Sequence, residues 1–251
     1  GLTKAMAEWV SGLAEDSESE PHSKALVVRA VSNPSTSPSK AAMLARAGEY
    51  YVCAPSVDDV PRLRELEREF VADHAEVLRD EPRCFDQTPA DWCGLVNVIL
   101  EEGAAQSAIS SICAGTTPKH ATLQCVHAPR DGSPEIVGYI HIFRDGGDLD
   151  VSHLKVDRRH QGRGLGGLLM AGALRGAAKE GWDVQKLRLV VVQRNTRAVK
   201  LYRKLGFEER SVMHKRMRSD STGTIAWLRM ARVMHEPPAA FAVACESRVH
   251  D

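Results

Sequence analysis

The sequence predicts a mixed α/β domain in which antiparallel strands lead into a β-α-β-α-β-β unit, one mixed sheet carrying helices on both faces. Three observations predict it. Between residues 122 and 156, short alternating runs are separated by Asp131-Gly132 and Asp145-Gly146-Gly147, which is the pattern of hairpin-linked strands. After Val156 the period changes, and apolar stripes at helical spacing alternate with short β-branched runs. The chain of 251 residues, 43% of them apolar, is large enough for a substantial core.

Taken in order, residues 1–48 read as a flexible N-terminal extension. Ala5, Met6, Trp9, Val10 and Leu13 make one short stripe, but the Ser/Pro stretch of residues 32–39 buries too little to offset its ordering entropy. Residues 21–48 contain no acid, a composition shared by transit peptides and linkers; the acidic residues 15–20 favour the linker. The folded domain is expected over residues 49–235, with 236–251 as a C-terminal tail. Tyr50 to Ala54 is the first strand. Ser56 is placed to cap a helix with Asp59 three residues on and Pro61 in the first turn, and Leu63, Leu66, Phe70, Ala75 and Leu78 form its stripe. A second helix is expected after Thr88 and Pro89, carrying Trp92, Leu95, Val96, Ile99 and Leu100. Strands follow at Thr122–His127, Glu135–Arg144 and Leu149–Val156. The remainder reads as helix Gly164–Glu180, strand Leu187–Val192, helix Thr196–Leu205 and strands Phe207–Met213 and Thr224–Met230.

Charge narrows the function classes. The 33 basic and 33 acidic residues cancel, which argues against a dedicated nucleic-acid binder or a polybasic membrane-surface protein. The zero conceals an asymmetry: residues 57–91 hold 11 acids and 5 bases, whereas residues 153–232 hold 19 bases and 6 acids. The six cysteines follow no metal-binding or disulfide pattern, so no metal and a reduced, cytoplasmic setting are expected. No apolar run reaches the roughly 18 residues of a membrane span.

The segment from Val156 to Gly167 joins a strand to a helix and contains Gly162, Gly164, Gly166 and Gly167 beside Arg158, Arg159, His160 and Arg163. Free N–H groups at a helix start attract phosphate oxygens, and glycine lets a diphosphate approach the backbone; the same glycines could serve only tight packing. Gly162-x-Gly164-x-x-Gly167 matches a dinucleotide fingerprint, but the following strand ends in Val191-Val192-Gln193-Arg194 without the ribose-binding acid. An NADP-binding oxidoreductase is therefore the weaker reading of this turn. A P-loop is excluded by the absence of Gly-Lys-Ser/Thr.

Phrased as Gln161-x-x-Gly164-x-Gly166, the turn resembles that of the GNAT superfamily of N-acetyltransferases. The block Asn195-x-x-Ala198-x-x-Leu201-Tyr202-x-x-x-Gly206-Phe207 is similar to that superfamily's second block, and Trp227 to Met230 fits its last strand. The resemblance implies a GNAT-like sheet whose central strands splay around acetyl-CoA. It implies cofactor contacts from the backbone of Leu154 and Val156, from Gln161, Gly162, Arg163, Gly164, Leu165, Gly166 and Gly167, and from Asn195 and Ala198. Tyr202 would protonate the CoA thiolate, a task suited to a hydroxyl of ordinary pKa about 10.

The resemblance places a base on the strand before the turn. Asp150, acting through water, ranks first, and His153 second, nominally on the opposite face unless a bulge intervenes. No cysteine lies in either block. The basic segment matches a polyanionic cofactor, and the acids of the first helices (Asp73, Glu76, Asp80, Glu81, Asp86, Asp91) suggest a cationic amine, on a small molecule or a protein. The region from Gly206 to Met230 lacks the tyrosines with which N-terminal protein acetyltransferases hold a peptide, which weakens the protein alternative. No nucleic acid or membrane is expected as partner, and a homodimer stays open. A non-catalytic acyl-CoA-binding regulatory module is the third reading.

Overall fold

The computed structural model describes residues 43–55, 57–77, 120–215 and 224–249. The expected helix after Thr88, the cap residue Ser56 and the stripe near residue 10 lie outside the described residues. Among the described residues eight strands form one sheet: β1 (Ala45–Ala47), β2 (Tyr50–Cys53), β3 (His120–His127), β4 (Glu135–Asp145), β5 (Asp148–Val156), β6 (Lys186–Val192), β7 (Glu208–Lys215) and β8 (Ile225–Val233). The same described residues hold four α-helices: α1 (Val60–Val77), α2 (Leu165–Lys179), α3 (Thr196–Lys204) and α4 (Pro238–Glu246). The strand order is β1-β2-β3-β4-β5-β6-β8-β7. Every pairing is antiparallel except β5 with β6. The mixed sheet read from the turn chemistry and the change of period is thus present.

Helix α2 organises the main core. From Leu165 to Leu174 every side is buried, because the helix is covered by the sheet on one flank and by α4 on another. Leu168, Leu169, Met170 and Leu174 are fully buried; truncating one such leucine to alanine costs about 2–5 kcal/mol. Helix α1 covers a different cluster, in which Leu63 and Leu66 pack on Tyr139 of β4. Phe70 continues this stripe and meets the ring of His153.

Two differences from the sequence reading concern the ends of the domain. A short strand, β1, precedes the expected first strand and turns into it at Gly48. Within the stretch read as a tail, α4 buries Phe241, Ala242 and Cys245. Its Glu246 is gripped by both terminal nitrogens of Arg175 on α2. The stretch from Pro238 is apolar on nearly all sides and carries no periodic stripe, so nothing in its pattern announced a helix.

Candidate active site

Strand β5 changes partners along its length, and this opens the site. It stays paired with β4 to Val156. Its pairing with β6 ends at Val151 and Leu189, after four residue pairs, while β6 continues along β8 to Val192. Beyond residue 151 the two central strands therefore diverge into a wedge. One residue past the last pair with β6, β5 bulges: His141 faces His153, and Ile142 faces Val151, so Ser152 is the extra residue. Ser152 donates its hydroxyl hydrogen to the carbonyl of His141 at 3.2 Å.

The bulge resolves the parity of the base candidates. Leu149 and Val151 belong to the main core, so Asp150 points to the opposite side, and the inserted residue brings His153 and Lys155 to that same side. The bulge on which the sequence reading made their parity depend is present, and Asp150 and His153 share a face. Leu154 and Val156 turn back to the main core and pack partly buried against it. The carbonyl of Val156 is occupied, because the Gln161 side chain donates to it at 2.7 Å. Gln161 therefore holds the end of β5 to the turn.

The turn itself begins with Asp157, whose carboxylate accepts from the Arg159 N–H at 2.9 Å and caps a short 3-10 turn over Arg158–His160. Gly162 and Gly164 then take φ of +86° and +84°, where a side chain is strained. Gly164 is also crowded: a Cβ there would lie 2.4 Å from the carbonyl oxygen of Arg248. Gly164 is the N-cap of α2 and supplies no side-chain cap bond. The first N–H groups of α2, at Leu165 and Gly166, precede the bond from Gly167 to the Gly164 carbonyl and are oriented as helix-start donors. Close packing is required at Gly166, where a Cβ would meet Leu201 of α3 at 2.7 Å and Leu154 at 3.6 Å. Gly167 has ordinary spacing around it.

Charge around the turn differs from the sequence reading. Arg158 is bound to Asp73 of α1, at 2.5 and 3.0 Å, and Arg159 to Asp157 and Glu135. Arg62 of α1 also bonds Asp157, at 2.7 Å. These arginines are neutralised by the acids of α1 and β4, so the two oppositely charged segments meet each other. The Arg pair holds the Asp157 carboxyl well below the usual carboxylate range. Arg163 is exposed and donates to the Tyr50 hydroxyl at 3.2 Å. The same hydroxyl shares a 3.2 Å hydrogen bond with His160, which is buried.

Helix α3 behaves as its sequence block suggests. The Asn195 side chain caps it by accepting from the Ala198 N–H at 3.2 Å. Val199 and Tyr202 are buried, Ala198 and Leu201 pack partly buried on the core, and Gly206 ends the helix with φ +82°. Tyr202 is tilted on Phe207 with ring centroids 5.7 Å apart. Burial pushes its hydroxyl up to about 12. The three described cysteines, Cys53, Cys125 and Cys245, are free and buried.

On the α1 side, Asp150 is engaged. Arg188 of β6 holds its carboxylate with contacts of 2.5 to 3.2 Å and also binds Asp145 and Asp148. Burial raises its pKa, against the pull of Arg188. His153 instead faces Glu67 of α1, with Nδ1 and Oε1 3.3 Å apart. Glu67 was not singled out from the sequence. Its signal is there, however: positions 63, 66, 67 and 70 share one helical stripe, and Glu67 is the acid set within it. Asp73, expected on an acceptor wall, is taken by Lys155 and Arg158, and Asp80, Glu81, Asp86 and Asp91 lie outside the described residues.

A wedge between central strands, closed at one end by a glycine-built helix start, suits an extended, phosphate-bearing acyl carrier. Residues 69–207 match the Acetyltransferase (GNAT) family, and the chain, more than half of which this covers, belongs to that family. It is accordingly an acyltransferase. Among solved structures, the PaiA N-acetyltransferase of Thermoplasma acidophilum in complex with coenzyme A aligns with a TM-score of 0.52 at 14% identity, over 74% of this chain and 99% of its own. A GCN5-related N-acetyltransferase of Kribbella flavida gives 0.51 at 22% identity, over 74% and 98%. At these identities the likeness concerns the fold. No curated protein matches the chain. The dinucleotide reading of Gly162 to Gly167 is overturned by this family and by a strand order built from antiparallel neighbours. Among the described residues, no helix is long and apolar enough to cross a membrane, and no group of side chains is arranged to hold a metal ion.

Proposed function

We propose that the protein transfers the acetyl group of acetyl-CoA directly to a primary amine, with Tyr202 as proton donor to the departing thiolate and His153 as the base. The observation that carries this reading is the wedge beyond Val151, bounded by β5, the glycine turn and α3 together. Residues 152–156 of β5 offer backbone groups along one side of it to a pantetheine arm. The donors of Leu165 and Gly166 suit the pyrophosphate, and the small side of α2 at Gly166 keeps α3, with Asn195 and Ala198, close to the arm. Gln161 acts on the cofactor through the backbone it pins. Arg163 is the turn arginine that is not spent on an acid in these contacts, and it supplies the positive charge assigned from the sequence to Arg158 and Arg159 as well.

Acetyl-CoA supplies an activated thioester. The amine nitrogen forms a bond to the acyl carbon as the carbon–sulfur bond breaks. The amine proton passes to the base, and the Tyr202 hydroxyl gives its proton to sulfur. A hydroxyl held up near 12 by burial stays protonated throughout the working pH range and is always ready as a donor. Asp150 is less suited to act as base, because an arginine clamp already uses both of its oxygens. The acceptor is an amine of a small molecule or of a protein, approaching from the α1 side.

CoA release measured over a panel of polyamines, amino acids and peptide amines tests the reading. One or more amines should be acetylated, and Tyr202→Phe should lower kcat about 10–100-fold while leaving acetyl-CoA affinity within about twofold. A protein that binds acetyl-CoA and acetylates nothing in the panel would instead support a non-catalytic binding module.

A further inference from the structure

The acceptor side carries an inference that rests on the acetyltransferase reading and deepens it. We infer that Glu67 of α1 is the positioning residue for His153, fixing the imidazole so that Nε2 receives the proton of the attacking amine. Glu67 stands where an apolar side chain would be expected, between Leu66 and Phe70 on the face that packs on the sheet. Its side chain is 12% exposed, whereas that of His153 is 34% exposed, so the carboxylate is behind the imidazole and the imidazole is reachable. Phe70 closes the other flank, its ring 5.0 Å from that of His153 at 45°. Glu67 and Phe70, both on α1, thus border the ring on two sides.

The chemistry follows from the contact. A carboxylate set in an apolar stripe is costly unless it gains a donor. The Nδ1–H of His153 is that donor, and a neutral imidazole that donates from Nδ1 has its lone pair on Nε2. When Nε2 takes the amine proton, the resulting imidazolium lies against a carboxylate, and the charge that develops in the transition state is stabilised. The bulge at Ser152 is what turns His153 toward α1, at the point where β5 leaves β6.

Other charged groups face this pair. Lys155 lies two residues along β5, its Nζ 2.5 Å from Asp73 and 3.6 Å from Glu69 of α1. His141 of β4 is the cross-strand partner, its ring 6.3 Å from that of His153 and its Nδ1 sharing a 2.8 Å hydrogen bond with Thr122. Asp150 is held by Arg188. Burial pushes the Glu67 carboxyl up to about 7, with Lys155 pulling it down. The ionised, orienting form is therefore gained as pH rises through neutrality.

The test compares wild type, Glu67→Gln, His153→Gln and the double variant, using acetyl-CoA and an amine that the panel shows to be acetylated. Glu67→Gln should lower kcat/KM at least about 10-fold, keep acetyl-CoA affinity within about twofold, and move the acidic limb of the pH–rate profile. Added to His153→Gln it should cost nothing further, because it acts through that ring. Glu67→Asp should restore part of the loss. An unmoved acidic limb in Glu67→Gln, or the same loss with and without His153, overturns the inference. Nitrogen NMR of the His153 ring reads the assignment without turnover: the Nδ1–H tautomer in wild type and its loss in Glu67→Gln support it, and the Nε2–H tautomer in wild type overturns it. If wild type binds acetyl-CoA and acetylates no amine, the functional reading fails, and the ring NMR still decides the Glu67–His153 assignment.

Discussion

The two sides of strand β5 are built by opposite means. On the side of α2 and α3, the strand meets backbone and small residues: Gly164 and Gly166 bring main chain close, Asn195 caps a helix, and Leu154 and Val156 merge into an apolar core. On the side of α1, the same strand presents Asp150, His153 and Lys155, each tied to a charged partner on α1 or β6. The comparison teaches that a polyanionic cofactor need not be met by a field of arginines. In the proposed reading helix-start N–H groups supply the anion site, while Arg62 and Arg158 fasten α1 to the turn.

This contrast can be broken from either side. The largest effect belongs to the backbone side: Gly164→Val places a branched side chain at φ +84° and into the Arg248 carbonyl. Calorimetry should show acetyl-CoA affinity falling more than about 100-fold, with a thermal midpoint several degrees lower. Next in size is Asp157→Asn, which removes the charged partner of Arg62 and Arg159 and weakens a cap; chemical denaturation at pH 7 should show a loss of about 2 kcal/mol. Its sign with pH follows from the depressed carboxyl. The contribution is complete above the unfolded value of about 4 and disappears as pH falls through the lower folded value, so wild type and variant should converge in acid. The smallest effect sharpens the contrast. Arg158→Ala should change acetyl-CoA affinity less than about threefold, because that guanidinium is already committed to Asp73; a loss above about 10-fold would return Arg158 to the phosphate site.

Much of this architecture was legible because it is local. The hairpins were announced by Asp-Gly and Gly-Gly turns, and α3 by Asn195 at its start and Gly206 at its end, features set by a few neighbouring residues. The glycine turn was legible for the same reason. What the sequence did not show are properties of long-range partners. Arg158 read as free positive charge, since the acid that neutralises it lies 85 residues away at Asp73; Arg159 has a distant partner in Glu135, 24 residues away, besides the adjacent Asp157. The bulge at Ser152 depends on the register with β4, and it decided the face of His153. Glu67 was visible as an acid in an apolar stripe, but only its contact with His153 gives that oddity a meaning. Helix α4 was missed because its exposed side carries Ala239, Ala240, Val243 and Ala244, so no polar face marks its period.

The short parallel seam between β5 and β6 also bears on how the molecule holds together in time. Only Asp148–Val151 and Lys186–Leu189 stitch the two halves of the sheet along the backbone. Among the described residues no strand flanks the β6-facing edge of residues 152–156, so its amide protons should exchange early, ahead of those in the β4 ladder. A ligand lying in that opening would act as a missing strand: it would slow exchange along the β5 edge and couple the opening of one half to that of the other. Saturating donor would then raise the cooperativity of unfolding as well as its midpoint, because the same molecule that brings the reactive group also closes the seam.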